Sequence, residues 1–203
     1  MRAVVRRSVI LAAAALALAA CGGKGSKQAE GDMVMGRADA PVTVVEYASV
    51  TCGHCAAWNE EVFPEFKKKY VDTGKVRYVF REFLTPPQEV AAAGFLVARC
   101  AGDDKYFQVV DAIMRSQREM YESGDARGTL LRVAQSAGMT EDQFNKCVTD
   151  EAALKDLNAR VEKGMKDGIS STPTFVIDGK QLVGAQPMAE LDAAIQPKLA
   201  GKK

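Results

Sequence analysis

A strand, a Cys-x-x-Cys sequence, a helix and a second strand follow one another in the first half of this chain. The run from Val42 to Tyr47 is β-branched and aromatic, as is typical of a strand. Cys52 and Cys55 follow it and open a helix-like stretch, and a second strand-like run extends from Val76 to Phe83. Because a helix between two strands forms a crossover connection, this order predicts a βαβ unit with two parallel strands.

Helical patterns occupy the middle of the chain, and a hairpin follows them. The predicted helices are Ala91 to Cys100, Tyr106 to Met120, Gly128 to Ala137, one starting at the capping box Thr140-Glu141-Asp142-Gln143, and Ala152 to Met165. Two short apolar runs around Asp178-Gly179 then predict a β-hairpin, and Met188 to Leu199 predicts a covering helix. The fold class is therefore α/β, with an all-helical insertion between a βαβ half and a C-terminal ββα half.

The N-terminal residues have the features of an export signal. Residues 1–20 combine a basic start with an apolar stretch that is too short to span a bilayer, for which about twenty apolar residues are needed. The sequence Leu18-Ala19-Ala20-Cys21 resembles the lipobox of bacterial lipoproteins, in which the cysteine is acylated. We expect Cys21 to carry the lipid and residues 21–35 to form a flexible tether. Ordinary cleavage, which would leave Cys21 as a thiol, is the alternative.

Charge excludes one large class of functions. Three of the 27 basic residues lie in the expected signal, so 24 remain against 26 acidic residues. The sequence contains no basic patch of the kind that binds nucleic acid, so we do not expect nucleic-acid binding.

We expect the body of the protein to be a soluble domain that is held at a membrane only through its lipid.

His54, the only histidine in the chain, lies between Cys52 and Cys55. An imidazole at this place adjusts how readily one sulfur becomes a thiolate, and only thiolates attack disulfides. Cys52 also starts the predicted helix, where unpaired backbone N–H groups and the helix dipole favour an anion. A stabilised thiolate stabilises the reduced pair, which makes the disulfide a stronger oxidant. Alternatively, His54 is a solvated residue without a role.

The remaining cysteines, Cys100 and Cys147, form an even pair in a chain expected to work in an oxidising compartment. We expect a structural disulfide between them. Two separate buried thiols are the alternative, since free cysteine often packs like a small apolar residue. A zinc site made of four cysteines is a weaker hypothesis, because zinc ribbons use two short Cys-x-x-Cys knuckles.

Three segments in this order resemble the DsbA-like branch of the thioredoxin-fold oxidoreductases. They are Ala40 to Tyr47, Cys52-Gly53-His54-Cys55 and Ser171-Thr172-Pro173-Thr174-Phe175, and the resemblance covers nearly all of residues 36–200. It implies a thioredoxin fold with an N-terminal half over 36–85, a helical insertion over 86–168 and a C-terminal half over 169–203.

The resemblance also implies roles for individual residues. Cys52 would be the nucleophile and Cys55 the buried resolving partner, while Thr172-Pro173 would be the cis-proline loop that binds an extended substrate. Glu46 matches the family's buried acidic residue. It shares strand parity with buried positions, so we expect it to face the interior and to exchange a proton with Cys55; a solvent-facing Glu46 is the alternative.

The expected function is thiol-disulfide exchange in the bacterial cell envelope, without a cofactor. The partners would be exported proteins with free thiols or disulfides, and a membrane redox partner that resets the cysteine pair. We expect the Cys52-Cys55 disulfide to be donated to substrates, with isomerisation or reduction as the alternative, since Gly53 stands where the best-known DsbA proteins have proline. A Cu(I)-handling lipoprotein is a further hypothesis, although the additional histidine usual for that class is absent.

Overall fold

The structure is a computed structural model that describes residues 31–201. The expected signal peptide over residues 1–20 and the expected lipidation site Cys21 lie outside the described residues.

Within residues 31–201 the chain forms five strands, nine α-helices and one short π-helix. The strands are β1 Met33–Met35, β2 Val42–Ala48, β3 Val76–Glu82, β4 Thr174–Ile177 and β5 Lys180–Val183. The helices are α1 Gly53–Glu61, α2 Phe63–Phe66, α3 Gln88–Cys100, α4 Tyr106–Arg115, α5 Gln117–Ser123, α6 Ala126–Ser136, α7 Glu141–Val148, α8 Glu151–Lys166 and α9 Met188–Ala200, with the π-helix at Lys67–Val71. This confirms the predicted fold class.

One sheet with the order β1-β3-β2-β4-β5 carries the fold. β2 pairs in parallel with β3, as the βαβ pattern predicts, and antiparallel with β4. β2 is thus the central strand, and six of its seven residues are buried. The β4–β5 hairpin turns at Asp178 and Gly179, whose positive φ values of 48° and 83° are those of a two-residue hairpin turn.

Helices cover both faces of this sheet. On one face an aromatic cluster joins Trp58 and Phe66, which follow the cysteine pair in sequence, to Tyr78 of β3 and Phe175 of β4. On the other face α8 packs so closely that a Cβ on Gly164 would lie 3.0 Å from the ring of Tyr47. A strand with both faces covered keeps its side chains away from water, which is why β2 lacks an apolar-polar alternation.

The structure corrects two details of the sequence prediction and shows a break near Pro64. The last three residues of the expected tether, Met33 to Met35, form β1, which pairs antiparallel with β3. The expected helix from Tyr106 to Met120 is interrupted at Ser116, whose hydroxyl donates to the Ala112 carbonyl at 2.8 Å. The helix after the cysteine pair is interrupted at Val62, two residues before Pro64, which cannot donate a backbone hydrogen bond.

Cys100 and Cys147 form a disulfide that joins the last residue of α3 to α7, with 6.2 Å between the Cα atoms. The bridge therefore lies inside the helical insertion.

No helix between residues 31 and 201 is long and apolar enough to cross a membrane.

We predict that replacing both Cys100 and Cys147 by alanine lowers the free energy of unfolding by about 4 kcal/mol, because the bridge closes a 47-residue loop in the unfolded chain. Urea unfolding without reductant measures the change. The double variant Cys52→Ser/Cys55→Ser is the matched control, because it keeps the Cys100–Cys147 bridge and should keep the stabilisation that the bridge provides. A loss below about 1 kcal/mol would contradict the loop-closure account.

Candidate active site

Cys52 is the N-cap of α1, and its sulfur takes the place of the usual capping oxygen. Its backbone is extended, with φ −86° and ψ 115°, and its Sγ accepts the backbone N–H of Cys55 at 3.2 Å. The first N–H groups of a helix have no partner within the helix and carry partial positive charge. A negative charge on this sulfur is therefore stabilised.

The two cysteines are free thiols with opposite acidities. The hydrogen bond from the Cys55 thiol, helped by the Thr172 side chain and by the backbone N–H groups of Cys55 and His54, outweighs burial and lowers the pKa of Cys52 to about 6. Burial, reinforced by the hydrogen bond and the charge of Cys52, raises the pKa of Cys55 far above that of an ordinary thiol. Cys52 is 9% exposed and Cys55 is fully buried, so Cys52 is the sulfur that can act as an accessible thiolate.

His54 contributes to this site through its backbone rather than its ring. Its N–H favours the Cys52 thiolate, whereas its side chain is exposed and makes no hydrogen bond to residues 31–201. In this form, in which Cys52 and Cys55 are both thiols, the imidazole therefore makes no hydrogen bond through which it could act on Cys52.

The segment before β4 lies across from Cys52. The Thr172-Pro173 peptide bond is cis, and the Cys52 thiol donates to the Thr172 carbonyl at 3.5 Å. The backbone N–H of Gly184, just after β5, donates to the Pro173 carbonyl at 2.8 Å. The hairpin thus holds the proline loop beside the nucleophilic sulfur.

Glu46 is buried in the sheet interior, as its strand parity predicts, and only 2% of it is exposed. Burial raises the pKa of its carboxyl group to about 8, although a hydrogen bond donated by the Tyr78 hydroxyl acts in the opposite direction. The charge of Glu46 in turn raises the pKa of Cys55. A carboxyl group with a pKa of about 8 keeps its proton at neutral pH and can release it just above, so it has the acidity of a proton donor at physiological pH.

Sequence reasoning missed Tyr78, which holds the Glu46 carboxyl group. Its signal was present but ambiguous, because Tyr78 is an aromatic residue inside an apolar strand and such residues usually pack in a core. Tyr78 is 3% exposed, and its ring contacts Phe63 and Phe66. Only the register of β2 with β3, which places Tyr78 opposite Val44, shows that its hydroxyl reaches the acid two residues further on.

Sequence reasoning also missed two side chains of α5 that hold the chain just before Cys52. The Gln117 amide donates to the carbonyls of Val50 and Cys52 at 2.7 and 3.2 Å, and the Tyr121 hydroxyl donates to the Thr51 carbonyl at 2.9 Å. These residues lie more than sixty positions from the cysteine pair, so no local pattern could identify them. The helical insertion therefore supports the active-site loop directly.

Within residues 31–201, no group of three or more His, Cys, Asp and Glu side chains lies close enough to hold an ion. The site brings together an acidic thiol, a buried thiol, a buried carboxyl group and a proline loop, and this set is suited to thiol-disulfide exchange.

Comparisons with known proteins agree with this geometry. A family model described as Thioredoxin matches residues 28–197. A relative named "Putative protein-disulfide oxidoreductase" in Rickettsia bellii is 38% identical over 156 residues, which cover 75% of this chain and 59% of the relative. Disulfide bond formation protein D of Bacillus subtilis is 26% identical over 88% of this chain and 82% of its own length.

A solved structure has a similar architecture. The crystal structure of alpha-DsbA1 from Wolbachia pipientis matches with a TM-score of 0.78 and 26% identity, over 86% of this chain and 94% of that chain. The alignments to the Rickettsia relatives span between 56% and 62% of the length of those proteins.

We predict that iodoacetamide modifies Cys52 of the reduced protein with a rate that rises to its half-maximum near pH 6, because the thiolate forms as the pH passes the pKa of Cys52. Mass spectrometry of the peptide containing both cysteines measures the rate, and Cys55 serves as the internal control that stays unmodified. A midpoint near 8.5, the ordinary value for cysteine, would contradict the proposed stabilisation.

Proposed function

The chain belongs to the thioredoxin superfamily as a DsbA-like member, and from this membership we propose that it is a protein thiol-disulfide oxidoreductase that donates the Cys52–Cys55 disulfide to exported proteins. The observation that carries the proposal is the opposite pKa shift of two neighbouring thiols, one accessible and one buried. Disulfide donation needs this asymmetry, since a substrate must reach one sulfur while the other leaves as the Cys52–Cys55 bond breaks.

In the proposed reaction, a substrate thiolate attacks Sγ of Cys52 in the disulfide form. The bond between Cys52 and Cys55 breaks, a mixed disulfide forms, and Cys55 leaves as a thiolate that takes a proton from Glu46. A second substrate thiolate then attacks the substrate sulfur of the mixed disulfide, and Cys52 leaves as a thiolate. The substrate loses two electrons to form its disulfide, and the cysteine pair gains them.

The acidity of Cys52 supports donation over reduction. Stabilising the Cys52 thiolate stabilises the dithiol form, so the disulfide form gives up its bond more readily. The extended substrate would pair with the backbone of Thr172 beside Pro173, as in strand addition. Gly53 favours the second candidate, isomerisation, because glycine leaves the loop between the cysteines more flexible than proline would.

We place this activity outside the cytoplasm, on a lipid anchor at Cys21. The disulfide between Cys100 and Cys147 supports an oxidising compartment, and the lipobox-like sequence ending in Cys21 supports the anchor. The cysteine pair would be reset by a membrane redox partner. His54 would act on the Cys52 thiolate through its backbone N–H.

We predict that the Cys52–Cys55 pair has a reduction potential well above that of thioredoxin, which is about −270 mV. Equilibration in glutathione buffers, followed by alkylation trapping of Cys52, measures it. The variant Cys52→Ser should lose exchange with a reduced model protein, whereas Cys100→Ala/Cys147→Ala, assayed at a temperature where it is folded, should retain it. A potential near −270 mV would refute the donor role, and full exchange by Cys52→Ser would refute the enzymatic role altogether.

We predict that Glu46→Gln slows exchange roughly a hundredfold, because Cys55 loses its proton donor. Corrected for ionisation of the substrate thiol, the wild-type rate should fall as the pH rises through about 8, the pKa of Glu46, and the variant should show no such fall.

The variant Tyr78→Phe tests whether the proton that Cys55 receives comes from Glu46. Without the hydroxyl that stabilises the Glu46 carboxylate, the pKa of Glu46 rises, and the fall in rate should move to higher pH. Tyr70→Phe is the matched control, since the Tyr70 hydroxyl donates to Asp192 instead. An unchanged profile in Tyr78→Phe would remove Tyr78 from the mechanism.

A further inference from the structure

The described chain starts at the active-site end of the sheet. β1 runs antiparallel to β3 with Met33 opposite Phe80, so that residue 31 lies level with Glu82. Glu82 in turn lies opposite Ala48 at the end of β2, four residues before Cys52. The N-terminal segment therefore leaves the fold at the same end of the sheet as the cysteine pair.

The opposite end of the sheet lies far from residue 31, which we call the exit point of the N-terminal segment. There β2 and β3 begin side by side, with Val42 opposite Val76, and the turn that contains Thr73 precedes β3. Six residues of strand separate the two ends, which corresponds to about 20 Å. Across the sheet, perpendicular to the strands, β1 lies two strands away from β2, which corresponds to a distance of about 10 Å. The exit is thus nearer to the cysteine end of the fold than to the Thr73 end.

Two groups of hydrogen bonds hold Asp32 and Gly31 in place at the exit point. The Asp32 carboxylate accepts two hydrogen bonds from Arg81, at 2.7 and 2.9 Å, and the Asp32 side chain is only 4% exposed. Arg99 of α3 donates to the Gly31 carbonyl at 2.8 Å. A two-pronged arginine-carboxylate pair that is shielded from water holds its geometry well. The positions of Gly31 and Asp32 are therefore set by the fold.

Ten peptide units separate Cys21 from Gly31, so the acylated residue lies at most about 36 Å from the exit. We propose that the lipid on Cys21 holds the cysteine end of the fold toward the bilayer. This proposal rests on the lipid anchor proposed above. A short tether attached at the active-site end favours orientations in which Cys52 is the part of the fold nearest the membrane.

Energy transfer to labelled lipids tests this orientation. The mature acylated protein, carrying Cys52→Ser and Cys55→Ser, receives a donor dye at His54→Cys or, in the matched variant, at Thr73→Cys; both positions are exposed. Each protein is placed in phosphatidylcholine vesicles that carry an acceptor dye on the lipid headgroup. We expect a larger loss of donor fluorescence at position 54 than at position 73. Equal losses, or a larger loss at position 73, would overturn the proposal.

Two controls separate tethering from adsorption. A Cys21→Ser protein should show no loss at either position, and about thirty Gly-Ser residues inserted between Ser26 and Lys27 should reduce the difference between the two positions, because a longer chain permits more orientations. An undiminished difference between positions 54 and 73 in either control would overturn the proposal. Failure of the acylated protein without the insertion to associate with the vesicles would also overturn it. Since the labelled proteins lack both redox thiols, these results do not depend on the exchange activity, which wild-type protein reports separately.

Discussion

The site depends on the central position of β2. This strand pairs with β3 on one side and β4 on the other, and helices cover both of its faces. Glu46 is therefore carried into a dry interior, where a carboxyl group holds its proton near neutral pH. The chain leaves the sheet after Ala48 and places Cys52 at the first turn of α1. The positions of both Glu46 and Cys52 therefore follow from the path of this strand.

Two opposing effects then act on sulfurs that are three residues apart. Donors at the start of α1 and from neighbouring side chains stabilise a charge on Cys52, while complete burial destabilises a charge on Cys55. Because the two thiols would otherwise be chemically equal, this difference makes Cys52 the more acidic of the two. The helical insertion takes part, since Gln117 and Tyr121 hold the carbonyls of the loop that leads into α1. The insertion is therefore a support for the reactive loop.

Long periodic segments were predicted well, and short or interrupted ones were not. β2, β3, the β4–β5 hairpin and most helices lie within a few residues of their predicted bounds, because burial imposes a clear periodicity on them. β1 was missed, since three residues give no period to detect. The interruption at Ser116 was missed because the apolar pattern continues across it, with Ile113 and Met114 buried before it and Met120 after it.

The sequence by itself determined the order of elements, the Cys-x-x-Cys at a helix start, the acid six residues before it and the proline loop, since each is a local pattern of residue types. Only the tertiary structure decided that Tyr78 holds Glu46, that α5 supports the loop before Cys52, and that the N-terminal segment leaves at the active-site end. These contacts depend on strand register and on packing between distant segments. Such distances are set by the fold as a whole, and no local run of residues encodes them.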